Sequence, residues 1–230
     1  MTASPRIVLL HATPVAVDPV KAAFAELWPE PELVNLLDDS LSPDRARDPD
    51  LGEAMIDRFV SFGRYALAIG ADAILVTCSA FGPAIDRMAR DFPVPVLKPN
   101  EAMFHAAVAQ GRRIGMIATF GPAIATMRAE FEAYVAETGA PATLETILVE
   151  DAMTALRAGD ADMHNRRIAG RAGELAGVDT IMLAHFSTSR AQAAVQAKVM
   201  VPVLSAPGAA VTRLRELLDG QGDVQSDGIL

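Results

Sequence analysis

The sequence predicts an α/β fold built as two pseudo-symmetric three-layer α/β/α halves, each with a mainly parallel sheet. Three observations carry this. Short apolar, β-branched runs alternate with helical patterns along the whole chain. Those runs hold almost no polar residues, as strands covered on both faces do. The chain also repeats itself at a shift of 107 residues. With 230 residues and 51% hydrophobic content, there is enough apolar material for sizeable cores.

Taken in order, the first strand spans Arg6 to Leu10 and the second Glu32 to Leu36. The helical pattern from Asp50 to Ile69 leads into a third strand, Ala73 to Thr77. A helix from Pro83 to Arg90 follows, with Pro83 suited to a first helical turn. The strand Val94 to Leu97 and the helix Glu101 to Gln110 come next. Then the alternation resumes: strand Arg113 to Ala118, helix Ala123 to Thr138, strand Thr143 to Val149 and helix Ala161 to Ala176. Strand Thr180 to Ala184, helix Arg190 to Lys198 and strand Val201 to Leu204 complete the series. The helix Ala209 to Leu218 would return to the first half. The tail Gly220 to Leu230, rich in Gly, Asp and Gln, is expected to fray.

The repeat superimposes Ala71-Asp-Ala-Ile-Leu-Val-Thr-Cys-Ser-Ala80 on Val178-Asp-Thr-Ile-Met-Leu-Ala-His-Phe-Ser187 without a gap. The same shift lays Val94-Pro-Val-Leu97 on Val201-Pro-Val-Leu204, Ala102 on Ala209 and Ile7 on Ile114. The expected domains are residues 1–98 with 206–230, and residues 99–205. Right-handed crossovers put the functional loops at the carboxyl ends of the strands, and the site is expected in the cleft between the halves.

Charge narrows the partners. A formal net charge of −9 repels phosphate backbones and anionic lipid, so neither nucleic acid nor a membrane surface is expected. No apolar run reaches a membrane span. The segment Ile7 to Val17 is interrupted by His11, Thr13 and Pro14, which suits a first strand better than a signal segment. A single cysteine excludes an internal disulfide framework, and a cytoplasmic location is expected.

That cysteine, Cys78, ends a strand and is followed by Ser79-Ala-Phe-Gly-Pro83 and a helix. A thiol there feels the positive end of the helix dipole, which favours thiolate. The N–H groups of the same turn can hold a carboxylate. Taken alone, the position fits a small buried hydrophobe equally well.

The stretch Asp-Ala-Ile-Leu-Val-Thr-Cys-Ser-Ala-Phe-Gly around Cys78 resembles the first cysteine motif of the aspartate/glutamate/hydantoin racemase superfamily. That group includes cofactor-independent racemases, maleate isomerase and arylmalonate decarboxylase. The resemblance covers nearly the whole chain. Leu10-His-Ala-Thr-Pro14 stands where hydantoin racemases carry an Asn-Pro-Asn-Thr-like stretch, and Gly115-Met-Ile-Ala-Thr119 where they have a Thr-rich strand end. The resemblance implies two thiols that face each other across the substrate's acidic carbon, one removing a proton and the other returning one. It implies neither a metal nor another cofactor.

Here the sequence departs from the pattern. The repeat partner of Cys78 is His185, in Leu183-Ala-His-Phe-Ser-Thr-Ser189, and there is no second cysteine. His185 could supply the second acid/base, since imidazole titrates near neutral pH. Cys78 could instead work alone, as in a decarboxylase or lyase. Single-cysteine relatives include arylmalonate decarboxylase, whose retained thiol belongs to the second motif. A third alternative is a site without catalysis that binds a small carboxylate.

His11 ends the first strand, with Thr13 just beyond it, and Thr119 and Phe120 are the strand-end counterparts of His11 in the second half. With Ser79, Ala80, Phe186 and Ser187 they make up the expected substrate-binding set; Thr188 and Ser189 serve either there or in the turn. His105 falls within a helix, and His164, at a helix start, is expected on the surface. No close metal-ligand spacing occurs, and there is no G-x-G-x-x-G, Walker loop or G-x-S-x-G elbow. The first reading is therefore a racemase or isomerase using Cys78 and His185 on a small carboxylate-type substrate. A homo-oligomer is expected from the broad apolar faces of the helices Asp50 to Ile69 and Ala123 to Thr138.

Overall fold

The computed structural model describes residues 4–47, 51–119 and 121–226. The chain divides into two compact units, Met1–Asn100 with Ala210–Leu230, and Glu101–Ala209.

In the first unit the chain runs β1 (Arg6–His11), α1 (Val17–Leu27), β2 (Glu32–Leu37), α2 (Leu41–Arg47), α3 (Glu53–Ala68), β3 (Ala73–Val76), α4 (Gly82–Asp91) and β4 (Val96–Leu97). The strands form one parallel sheet in the order β2-β1-β3-β4. Central strands read as continuous apolar runs because helices cover both faces: Ile7, Val8, Leu9, Leu10, Ile74, Leu75 and Val76 are all fully buried. On one face Val8, Leu10, Ile74 and Val76 pack with Phe59, Val60, Phe81, Ile85 and Met88. Trp28 ends α1 and packs on Phe24, with ring centroids 6.1 Å apart.

The second unit follows the same plan: α5 (Glu101–Gln110), β5 (Arg113–Ala118), α6 (Gly121–Thr138), β6 (Thr143–Leu148), α7 (Glu150–Arg157), α8 (Ala161–Arg171), β7 (Thr180–Leu183), α9 (Gln192–Gln196) and β8 (Val203–Ser205). Its parallel sheet has the order β6-β5-β7-β8. The helix α10 (Ala206–Ser226) starts here and continues into the first unit from Ala210.

The repeat seen in the sequence is a repeat of strand register. Ile7 pairs with Ala73 and Ile114 with Thr180; Ile74 pairs with Val96 and Ile181 with Val203. The strand starts are tied alike. Asp72 accepts a hydrogen bond from the Arg6 amide (2.7 Å), and Asp179 accepts from the Arg112 and Arg113 amides (2.8 Å each). Those backbone donors, Arg113 first, hold the Asp179 carboxyl below the usual carboxylate range. Just before each aspartate a glycine turns the chain with positive φ, Gly70 at 81° and Gly177 at 92°, where a side chain would be strained.

Several expectations need correction. The tail is helical past Gly220, since α10 runs to Ser226; residues 227–230 lie outside the described residues. His164 is fully buried, not on the surface, because it begins the inward stripe that Ile168 continues along α8 and Ala172 just beyond its end. The strands expected at Val94 and Val201 start two residues later, since Pro95 and Pro202 lack an N–H and contribute only their carbonyls, to Ile74 (2.8 Å) and Ile181 (2.9 Å). The sequence reading offers no candidate for α1, α2 or α7. Pro19 and Pro43 sit within the first turns of α1 and α2, where a missing N–H costs nothing, so proline there does not break the helix.

Candidate active site

In each sheet the chain leaves the first strand toward one edge and returns to the third strand on the other side. The crevice at the carboxyl ends of β1 and β3, and of β5 and β7, is the place where such sheets bind ligands. The sequence-predicted residues fall at these strand ends.

In the first unit, Cys78 lies two residues beyond β3, half-buried, with extended backbone (φ −132°, ψ 117°). A 3-10 turn, Ser79–Phe81, follows and runs straight into α4, with Pro83 in its first turn. The turn is anchored by Phe81, which is fully buried and stacks on Phe59 at 4.4 Å and 12°. Ser79 is half-buried and Ala80 exposed. The Ala80 carbonyl accepts a long hydrogen bond (3.4 Å) from Arg45 Nε of α2. Arg58 of α3 in turn ties α2 to the loop before it, donating to Asp44 and Asp38 at 2.7 Å each.

His11 ends β1 and is fully buried. Its Nδ1 is 2.9 Å from Thr77 Oγ1 and its Nε2 is 3.0 Å from Asn35 Oδ1. Burial lowers the His11 pKa, opposed by the Asn35 hydrogen bond, so the neutral imidazole prevails. An amide oxygen only accepts, so Nε2 carries the proton and Nδ1 accepts from the Thr77 hydroxyl. Both ring nitrogens are thus engaged inside this unit, and a direct contact of His11 with substrate would cost one of these bonds. Thr13 is half-buried and precedes the 3-10 turn Pro14–Ala16 without capping it.

In the second unit, Thr119 follows β5 and His185 follows β7; Phe120 lies outside the described residues. Thr119 is buried and its Oγ1 finds no partner among the described residues. His185 has φ 71°, the left-handed region, and is the only non-glycine residue there among those described. Its Nε2 is likewise buried without a described partner, and burial alone lowers its pKa. The turn beyond it, Ser187–Ala191, uses its own hydroxyls. Thr188 Oγ1 is shared between the carbonyls of Ala184 and His185 (2.8 Å to the latter), and Ser189 Oγ donates to Phe186 O at 2.7 Å. Thr188 and Ser189 therefore serve the turn, Phe186 is buried and Ser187 is half-buried. Among the described residues, no group of three or more His, Cys, Asp or Glu side chains is placed to hold a metal ion, and no helix is long and apolar enough to cross a membrane.

Asn35, Arg45 and Thr77 were missed by sequence reasoning. The signal for two of them was present: Asn35 and Thr77 are polar residues within or at the end of otherwise apolar strands.

Fold and strand-end residues together define a duplicated parallel α/β protein with a thiol and an imidazole at equivalent strand ends. The chain belongs to the Asp/Glu/Hydantoin racemase family, whose profile matches residues 11–214. No curated protein sequence matches it significantly. Among solved structures it resembles a glutamate racemase isoform from Bacillus anthracis (TM-score 0.69, 16% identity, 96% of this chain and 84% of that one). Allantoin racemase from Klebsiella pneumoniae is similar at TM-score 0.72 and 18% identity, covering 94% of this chain and 88% of its own. A glycine-to-cysteine mutant of arylmalonate decarboxylase in a sulfate-associated form gives TM-score 0.66 and 21% identity, with 91% and 93% covered.

Proposed function

We propose that this protein is a cofactor-independent racemase or isomerase that removes and returns a proton at a carbon next to a carboxylate or similar group. Cys78 and His185 are its two proton-transfer groups. The observation that carries this reading is the buried His185 Nε2, which lacks a described partner and stands at the strand end the repeat equates with Cys78. Most buried polar side-chain atoms in native proteins have a hydrogen-bond partner.

A thiolate with an imidazolium takes the substrate proton at Cys78, and a thiol with a neutral imidazole takes it at His185. Burial lowers the His185 pKa and so favours its neutral imidazole. The negative charge that develops spreads onto the substrate carboxylate. The Thr119 hydroxyl and the first N–H groups of the turn at Ser79 and Ala80 are the donors for it.

A second reading, a lyase or decarboxylase using Cys78 alone, draws on the single cysteine of the chain and on its likeness to arylmalonate decarboxylase. Proton NMR in D2O separates the two, with amino acids, hydantoins, maleate, malonates and sulfonio-propionates as the panel. Deuterium entering one α-position with no other change, lost in Cys78→Ala and in His185→Ala, supports the isomerase. Conversion to a smaller product, lost only in Cys78→Ala, replaces it with the lyase. No change with any compound removes the catalytic reading for these substrates.

A further inference from the structure

We infer that His11 and Thr77 are a positioning pair that sets the direction of the Cys78 thiol. This rests on Cys78 being the reactive group proposed above. Thr77 is the residue immediately before Cys78, and it is held at three points. Its amide donates to Leu10 O at 3.0 Å, its Oγ1 is 3.2 Å from the same carbonyl, and that Oγ1 is 2.9 Å from His11 Nδ1. His11 is held in turn by Asn35 at 3.0 Å, so the chain of hydrogen bonds crosses β2, β1 and β3 at their carboxyl ends.

Proton accounting gives the chain one direction. With Asn35 Oδ1 accepting from Nε2–H, the neutral imidazole leaves Nδ1 as an acceptor, and the single Thr77 hydroxyl proton lies between Nδ1 at 2.9 Å and Leu10 O at 3.2 Å. A β-branched residue whose hydroxyl sits between two fixed acceptors keeps one χ1 rotamer, and the peptide that leaves it toward Cys78 is fixed with it.

The second unit supplies an internal control. The repeat puts Ala118 and Ala184 where the first unit has His11 and Thr77, and both alanines are fully buried. A parallel sheet of the same order and register therefore forms without this polar pair. Burying an imidazole and a hydroxyl in place of two methyl groups adds desolvation cost with no need from the fold. Where the pair is missing, the reactive position is held differently, by the left-handed backbone of His185 and by the Thr188 hydroxyl on the flanking carbonyls. The pair occurs only in the half that carries the thiol.

The test uses the full chain and needs no substrate, because Cys78 is its sole cysteine. The rate of alkylation by iodoacetamide is followed against pH for wild type, Thr77→Val, Thr77→Ser and His11→Phe, with circular dichroism to confirm folding. Thr77→Val is close in volume to the native residue and lacks only the hydroxyl, so it keeps the test meaningful even where His11→Phe does not fold. The expected result is a loss of about tenfold in the limiting rate and a raised pH midpoint in Thr77→Val and His11→Phe, with Thr77→Ser close to wild type. A folded Thr77→Val with the wild-type profile overturns the inference. So does a Thr77→Ser as impaired as Thr77→Val, which would assign the effect to the methyl group. Alkylation is independent of turnover, so a failed deuterium-exchange experiment leaves this result readable, and the reverse holds too.

Discussion

Thr119 and His185 stand at matching positions, each two residues beyond the paired Ile117 and Leu183, and each carries a buried polar atom without a described partner. Buried polar atoms left open are uncommon, and these two stand at neighbouring strand ends, where the proposed function puts the substrate.

Thr119 gives the first prediction. Thr119→Val keeps the volume and deletes a hydroxyl that forms no bond in the unliganded protein. Thermal stability without ligand should be unchanged or higher by about 1 kcal/mol. Stabilisation by bound small carboxylates, read by thermal shift, should be lost in the same variant and kept in Thr119→Ser. A clear destabilisation of the unliganded variant would make the hydroxyl structural.

The left-handed backbone of His185 gives the second. At φ 71° a Cβ is strained by roughly 1 kcal/mol, and glycine removes that strain. His185→Gly should match or exceed wild type in urea unfolding while losing α-proton exchange. His185→Asn should also fold normally, since asparagine tolerates this region. If His185→Gly unfolds much more easily, the imidazole supports the loop rather than the chemistry.

The third prediction concerns pH. Burial lowers the pKa of both His11 and His185, so the folded protein binds fewer protons than the unfolded chain just below the ordinary histidine value. Stability is then fully present above about pH 6.5 and falls as pH drops below it, until the lowered folded-state values are reached. Urea midpoints at descending pH should show this decline. His185→Asn and His11→Phe should each flatten it, and an unaltered slope in both would assign the decline to other groups.

His164 gives the fourth. It is fully buried, its Nδ1 lies 2.9 Å from Asn165 Oδ1, and its Nε2 finds no described partner. His164→Leu replaces an unsatisfied ring with an apolar side chain against Ile168 and Ala172. Stability should stay within about 1 kcal/mol of wild type or rise. A loss of several kcal/mol in urea unfolding would show that Nε2 is satisfied in solution by a bound molecule.

Much of the fold was legible because its signals are local or repeated. Ile7 to Leu10, Ala73 to Val76 and Thr180 to Leu183 read as buried strands from their composition alone. The gapless match of Asp72 with Asp179 and Val96 with Val203 reported the shared register before any coordinates. Helices with proline in the first turn, α1 and α2, were hidden because the same residue both starts and breaks helices. His164 was misplaced because a single histidine near a helix start carries no sign of which face it takes.

By itself, the sequence determined the α/β class, the duplication, the place of Cys78 and His185 at equivalent strand ends and the absence of a second thiol. These follow from periodicity and order along the chain, which survive without knowledge of contacts. Only the tertiary structure decided what each strand-end side chain does with its hydrogen bonds. His11 turns inward to Thr77 and Asn35, Thr188 is spent on its own turn, and Thr119 and His185 are left open. Such satisfaction depends on residues from three different strands arriving within about 3 Å of one another, a condition set by register and packing and not by sequence neighbours.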